Sequence, residues 1–239
     1  MPPVTSDVLQ GFFARIVPSY ERVNHLITLG LDAVWRRRAA RLAASAARRG
    51  DGAWADVCTG TGEMAALLCR LAPAGVRIHG VDFSEPMLAE ARRKPEAARV
   101  EFHTANVDAL PFPDGSLDLI TLSFGTRNIN ASRDVLVRRF AGFRRALRPG
   151  GCFVNLETSQ PALAPARAAR DLYVRLAVAS IGGRITGARP AYEYLARSMA
   201  AFYSAAELSD LLREAGFVDV QSRRLCLGAA AIHRATAPP

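Results

Sequence analysis

The run Asp56-Val57-Cys58-Thr59-Gly60-Thr61-Gly62-Glu63, followed by Asp82, carries the residue types and the spacing of a nucleotide-cofactor site. Residues 53–58 are a short, mostly apolar run, and Met64, Ala65, Leu67, Leu68 and Leu71 then recur at helical spacing. The pattern is strand, glycine turn, helix. Gly60 and Gly62 can take backbone angles closed to other residues and present no Cβ to an approaching ligand. A second apolar run, 76–81, ends in Asp82 about twenty residues past the glycines, where a carboxylate can accept hydrogen bonds from both hydroxyls of a ribose.

A dinucleotide site asks for a third glycine, which lets the helix close on the strand and face a pyrophosphate. Ala65 stands where that glycine would fall. Asp56, at the start of the turn, would also repel a diphosphate, whereas an acidic turn suits a ligand bearing cations. S-adenosylmethionine has no phosphate and carries an ammonium and a sulfonium. It is therefore the expected cofactor, ahead of a nicotinamide.

Several elements must position these groups. Ser84 is placed to cap a helix through Met87, Leu88 and Ala91 that Pro95 ends. A third strand is expected over 100–104, just before Asn106, Val107 and Asp108, and a fourth, central strand over 117–124. A helix over 134–147 closes on Arg148-Pro149-Gly150-Gly151, and a fifth strand follows over 152–156. Alternation of this kind implies a parallel sheet covered on both faces. Residues 161–202 break it with helical sequence bearing Tyr173, Tyr192 and Tyr194, a natural lid insertion. Ser204 and Glu207 form a capping box for a last helix stopped by Gly216, and two closing strands fit 217–224 and 226–234.

At 239 residues, half of them hydrophobic, the chain suits one domain (1–239) with a full core, an N-terminal helical segment (7–49) and the lid. The net charge of +9 raises the question of an anionic partner. Its arginines scatter over several helices without interleaved aromatics, which argues against nucleic acid and leaves open a peripheral contact with a membrane surface. Cys58, Cys69, Cys152 and Cys226 have neither metal-ligand nor redox spacing, so buried free thiols in a reducing compartment are expected. No basic region followed by an apolar core opens the chain, and no apolar run reaches about eighteen residues. The expected location is the cytoplasm, or the inner face of the membrane.

Over nearly its whole length the chain resembles the class I S-adenosylmethionine-dependent methyltransferases, and among them the ubiquinone/menaquinone biosynthesis C-methyltransferases of the UbiE/MenG type. Tyr20, Asn24, Leu26, Gly30 and Trp35 are similar to the family's first signature. Ser123-Phe124-Gly125-Thr126-Arg127-Asn128 is similar to its S-F-G-x-R-N, and 145–151 with Glu157 and Ser159 to its second signature. Tyr192-Glu193-Tyr194-Leu195-Ala196 also matches. Glu21, Val23, Thr28 and Asp32 stand where the family usually has Asp, Met, Ser and His, and Cys58 replaces a small residue in the cofactor turn.

The resemblance implies a Rossmann-like α/β fold with a mostly parallel seven-stranded sheet, helices on both faces and a helical lid. It implies that Thr61 contacts the methionine part of the cofactor, with Glu63 nearby, that Asp82 holds the ribose, that Asn106 and Val107 hold the adenine, and that Ser123 faces the cofactor. Arg127 and Asn128, at the carboxyl end of the central strand, are expected to stabilise an oxyanion and to orient a water or hydroxyl on an electron-rich ring. Tyr20 and His233 are further acceptor-side candidates. The expected substrate is a polyprenylated quinol, demethylmenaquinol before others, with a soluble aromatic natural product as the alternative and a homodimer left open.

Overall fold

The computed structural model describes residues 21–47, 52–178 and 198–239. Its centre is a seven-stranded sheet in the order β3-β2-β1-β4-β5-β7-β6. The strands are β1 (Ala53–Val57), β2 (Arg77–Asp82), β3 (Val100–Thr104), β4 (Leu117–Ser123), β5 (Leu147–Thr158), β6 (Val218–Leu225) and β7 (Ala230–Thr236). All neighbours pair in parallel except β7, which runs antiparallel to both β5 and β6.

Strands β1 and β4 are buried along nearly their whole length, which is why they read as continuous apolar runs without alternation. Asp118 interrupts β4 at small cost. Its carboxylate accepts the Ala53 backbone N–H at 3.0 Å and pairs with the Arg148 guanidinium at 2.9 Å.

Helices cover both faces. On one, α1 (Leu31–Ala46) and α2 (Glu63–Leu71) bury Trp35, Ala39, Ala43, Met64 and Leu68 against Trp54, Ile78, Leu119 and Val154. On the other, α4 (Arg133–Ala146) and α6 (Ala205–Glu214) bury Leu136, Phe140, Phe143, Leu208 and Leu212 against Ile120, Leu122 and Phe153. Between them, α3 (Glu85–Arg92) follows β2. Residues 21–27 are helical and turn into α1 through Gly30.

Part of the expected lid is described: α5 (Ala164–Tyr173) continues into a π-helical turn (Val174–Val178). The Tyr173 hydroxyl donates to the Ile27 carbonyl at 2.6 Å, and Arg170 donates to the carbonyls of Ser159 and Met199. This stretch is thus tied to the N-terminal helical segment and to its own roots. Tyr20, Tyr192 and Tyr194 lie outside the described residues.

Some expectations change. Ser84 occupies the cap position of α3, but its side chain caps nothing; its backbone N–H instead donates to Asp82. The fifth strand begins at Leu147, because 147 already pairs with Leu117 and Arg148-Pro149-Gly150-Gly151 forms an irregularity within the strand. The second closing strand starts only at Ala230, since Cys226–Gly228 winds into a 3-10 turn. Cys226 is consequently exposed, while Cys69 and Cys152 are buried as expected. The capping box of Ser204 and Glu207 is formed in full.

Candidate functional site

The order of the sheet reverses between β1 and β4, one leading outward to β2 and β3 and the other to β5. Open α/β sheets bind ligands beyond the carboxyl ends of strands at such a point. A cleft open to solvent lies there. It is lined by Cys58 and Gly60 after β1, Asp82 and Phe83 at β2, Ala105 to Val107 after β3, and Ser123 to Gly125 at β4. Met87 of α3, Asn128, Ile129 and Arg139 of α4 complete the wall.

The glycine turn is built for close approach. Gly60 and Gly62 have φ of 55° and 78°, and a Cβ on Gly60 would meet nothing within 4 Å, so the space above it is open. Cys58 and Phe124, at the ends of β1 and β4, also hold positive φ (55° and 57°) although neither is glycine. Such strain collects where the backbone is shaped for a ligand.

Asp82 is pinned at the rim. Its two carboxylate oxygens accept the Gly60 N–H at 2.8 Å and the Ser84 N–H at 2.9 Å, and the Phe83 N–H also donates to the carboxylate. Burial raises its pKa, and those backbone donors oppose the rise. A carboxylate has about four acceptor sites, so it can still receive a ligand donor beside these backbone groups. In the same cleft, the Ser123 Oγ is buried without a hydrogen-bond partner among the described residues. A buried hydroxyl left unsatisfied costs about 1–3 kcal/mol, so this is a place for a ligand atom.

Asp56 lies one layer deeper and does not line the cleft. It accepts the hydroxyls of Thr59 at 2.6 Å and Thr121 at 2.7 Å, which tie the turn to β4. Burial pushes its carboxyl up to about 6, against those hydrogen bonds and the Arg36 guanidinium. Thr61 and Gly62 are likewise outside the lining, Thr61 being buried in the turn.

Glu63 opens α2 and pairs with Arg36 at 3.0 Å. Arg36 is buried: it also holds Asp32 at 2.7 Å and lies over the Phe124 ring, 5.1 Å from its centre. Burial works to raise Asp32, but the Thr28 hydroxyl and Arg36 outweigh it and keep the carboxyl below its ordinary value. Two of the positions that depart from the family pattern, Thr28 and Asp32, therefore form one network. Arg36 is thereby removed from the exposed arginines of α1, while Arg37, Arg38 and Arg41 remain exposed.

The acceptor-side candidates separate. Asn128 lines the cleft. Arg127 does not: its Nε donates to Glu157 at 3.2 Å, its backbone N–H to the same carboxylate, and its Nη1 to the Ser198 hydroxyl at 3.2 Å. Both partners of this ion pair are almost wholly buried, so the guanidinium is committed and not a free cation for an oxyanion. His233 sits in β7 with its Nε2 at 2.9 Å from the Ala205 carbonyl, buried and away from the cleft, and burial lowers its pKa. It is a core histidine.

The sequence reading missed Phe83, Met87, Phe124, Ile129 and Arg139 as wall residues. Arg139 clamps Asp108 with two bonds of 2.7 and 2.6 Å and donates to the Ile129 carbonyl, holding the segment after β3 to α4.

The fold is that of the S-adenosylmethionine-dependent methyltransferases. A solved example from Thermotoga maritima superimposes with a TM-score of 0.62 at 20% identity, covering 94% of this chain and 98% of its own. Another, from Aquifex aeolicus, gives 0.58 at 16% identity over 83% and 89%. Curated relatives lie much nearer in sequence. A demethylmenaquinone methyltransferase of Thermus thermophilus is 40% identical over 92% of this chain and 97% of its own. A ubiquinone/menaquinone biosynthesis C-methyltransferase UbiE of Desulfotalea psychrophila is 34% identical over 94% and 88%. Residues 2–237 match the ubiE/COQ5 methyltransferase family, and the chain belongs to it.

Proposed function

We propose that this chain binds S-adenosylmethionine in the cleft and moves its methyl group to a ring carbon of a polyprenylated quinol, demethylmenaquinol to menaquinol. One observation carries the reading: Asp82, a carboxylate at the end of β2 pinned by the glycine turn, and Ser123, a buried hydroxyl at the end of β4 without a partner among the described residues, line the same cleft at the switch point of the sheet. The names of the relatives supply the substrate class.

In this reading Asp82 accepts the two ribose hydroxyls. Asn106 and Val107, with Met87 and Phe83, flank the adenine, and Gly60 leaves room for the ligand beside Cys58. Ser123 faces the methionine part. Asp56, Thr61, Gly62 and Glu63 act from behind the wall: they set the turn, and Asp56 adds negative potential toward a cation. Bound there, the cofactor supplies an electrophilic methyl group on a sulfonium. Displacement at that methyl spreads and then removes positive charge, so a dry, positioned pocket accelerates it.

On the acceptor side, Asn128 orients the quinol hydroxyl whose deprotonation makes the adjacent ring carbon nucleophilic. Arg127, through Glu157 and Ser198, positions the backbone that carries Asn128. Tyr20 keeps its place as an acceptor-side group on the resemblance alone. The prenyl chain enters over the lid insertion, where Leu26, Leu29, Leu172 and Leu176 are exposed around the Tyr173–Ile27 tie, and this apolar face meets the membrane.

The test is incubation of purified protein with methyl-labelled S-adenosylmethionine and either a reduced prenylated demethylnaphthoquinol or a soluble unprenylated aromatic. Label in the quinol ring, heavier by one CH2, is the expected result. Label in the soluble aromatic alone would overturn the substrate assignment.

A further inference from the structure

We propose that His79, Glu101 and His103 form a binding site for one divalent transition cation, zinc by the chemistry of its donors, at the edge of the sheet. None of the three lines the cofactor cleft. The site follows from strand register. His79 on β2 is paired with Glu101 on β3, and His103 lies two residues further along β3, on the same face as Glu101.

The donor atoms converge. His79 Nδ1 is 3.1 Å from His103 Nε2 and 3.4 Å from Glu101 Oε2, and the three ligand atoms all lie within 4.8 Å of one another. Zinc bound to imidazole nitrogen at about 2.0–2.1 Å in a tetrahedron has neighbouring ligand atoms about 3.3 Å apart. The two spacings measured from His79 bracket that edge. In the structure the two imidazoles share a hydrogen bond, so a cation takes the place of the bridging proton, which moves to the far nitrogen of one ring.

Two histidines and one carboxylate are a zinc ligand set that leaves a fourth position for water. The surroundings suit it. Phe112 closes one side, its ring centre 5.2 Å from His79 and 5.7 Å from His103. Glu101 is 60% exposed, so a cation reaches the site from solvent. Occupied, the site would clip the edge strand β3 to β2 just before Asn106.

The experiment uses full-length protein without a polyhistidine tag, stripped with chelator and titrated with zinc against a chromophoric chelator, and with cobalt(II) for its visible spectrum. One equivalent of zinc bound at micromolar or lower concentration is expected, with cobalt bands free of thiolate charge transfer. His103→Ala and Glu101→Gln should each weaken binding at least about tenfold, and Cys226→Ser should not. Should His103→Ala fail to fold, zinc-dependent shifts of the imidazole 15N resonances of His79 and His103 in the unmodified protein decide the matter. No zinc bound at about 100 μM, binding that survives both ligand substitutions, or unmoved imidazole resonances would overturn the proposal.

Discussion

Replacing Asp82 by alanine should separate the ribose contact from every other part of the cleft. The carboxylate is held by backbone N–H groups of Gly60, Phe83 and Ser84 and is the acceptor at the rim for the ribose hydroxyls. Hydrogen bonds to a charged group contribute about 1.5–3 kcal/mol each, so losing the pair costs at least about 3 kcal/mol, roughly a 100-fold rise in Kd. The substitution also strands the N–H groups of Gly60 and Ser84, at about 1 kcal/mol each, and Tm should fall by about 4–8 °C. A purely structural role would reproduce that second effect alone. The assay is therefore calorimetry with S-adenosylhomocysteine and its 2′,3′-dideoxy analogue on both proteins. The parent should discriminate between them about 100-fold, whereas Asp82→Ala, still folded, should bind both with similar weak affinity. If the variant kept the parent's discrimination, the ribose would not be held at Asp82.

Three further outcomes are expected. Asp56 has its carboxyl raised from 3.8 to about 6, so the stability it contributes is complete below about pH 4 and is lost as pH rises through 6, about 3 kcal/mol in all. Asp56→Asn should remove that part of the slope of urea midpoint against pH, and an unaltered slope would refute the assignment. Glu157→Leu leaves the buried Arg127 guanidinium without its carboxylate and should cost about 3–5 kcal/mol, read as a lowered urea midpoint; a change below about 1 kcal/mol would mean the pair is solvated. Gly62→Ala puts a Cβ at φ 78° and 3.0 Å from the Ala91 Cβ, so a loss of about 1–2 kcal/mol or more is expected in thermal unfolding.

The parts of the site written in backbone chemistry were legible in the sequence. A glycine turn between an apolar run and a helical period specifies β1, the cofactor loop and α2, because each signal is local. Strand β3 falls at 100–104 as expected, and the acid ending β2 sits at the rim. What failed depends on contacts distant in sequence. Arg127 follows the central strand, as an oxyanion binder would, but its partner is thirty residues away on β5. Arg139 reads as one of many helical arginines, and only the packing of α4 on the segment after β3 brings it to the cleft. Arg36 looks like a solvated charge until Asp32, Glu63 and Phe124 enclose it. Leu147 reads as the end of a helix because the tight Pro-Gly-Gly sequence after it masks a pairing with Leu117.

Those long-range pairs also settle the electrostatics of the cleft. Among the described residues, the arginines at and around it are each paired, Arg139 with Asp108, Arg127 with Glu157 and Arg36 with Asp32 and Glu63. The remaining charge is carboxylate: Asp82 at the rim, raised by burial, and behind it Asp56, whose carboxyl is raised to about 6. A diphosphate would meet this field as repulsion, with no unpaired guanidinium lining the cleft among the described residues to receive it. A sulfonium would meet it as attraction, and its neutral thioether product less so. Affinity for S-adenosylmethionine relative to S-adenosylhomocysteine should therefore fall as pH drops below 6 and Asp56 takes up its proton. In Asp56→Asn that ratio should be flat across the same range, while absolute affinity for the uncharged product changes little. A ratio that followed pH equally in both proteins would place the responsible charge elsewhere.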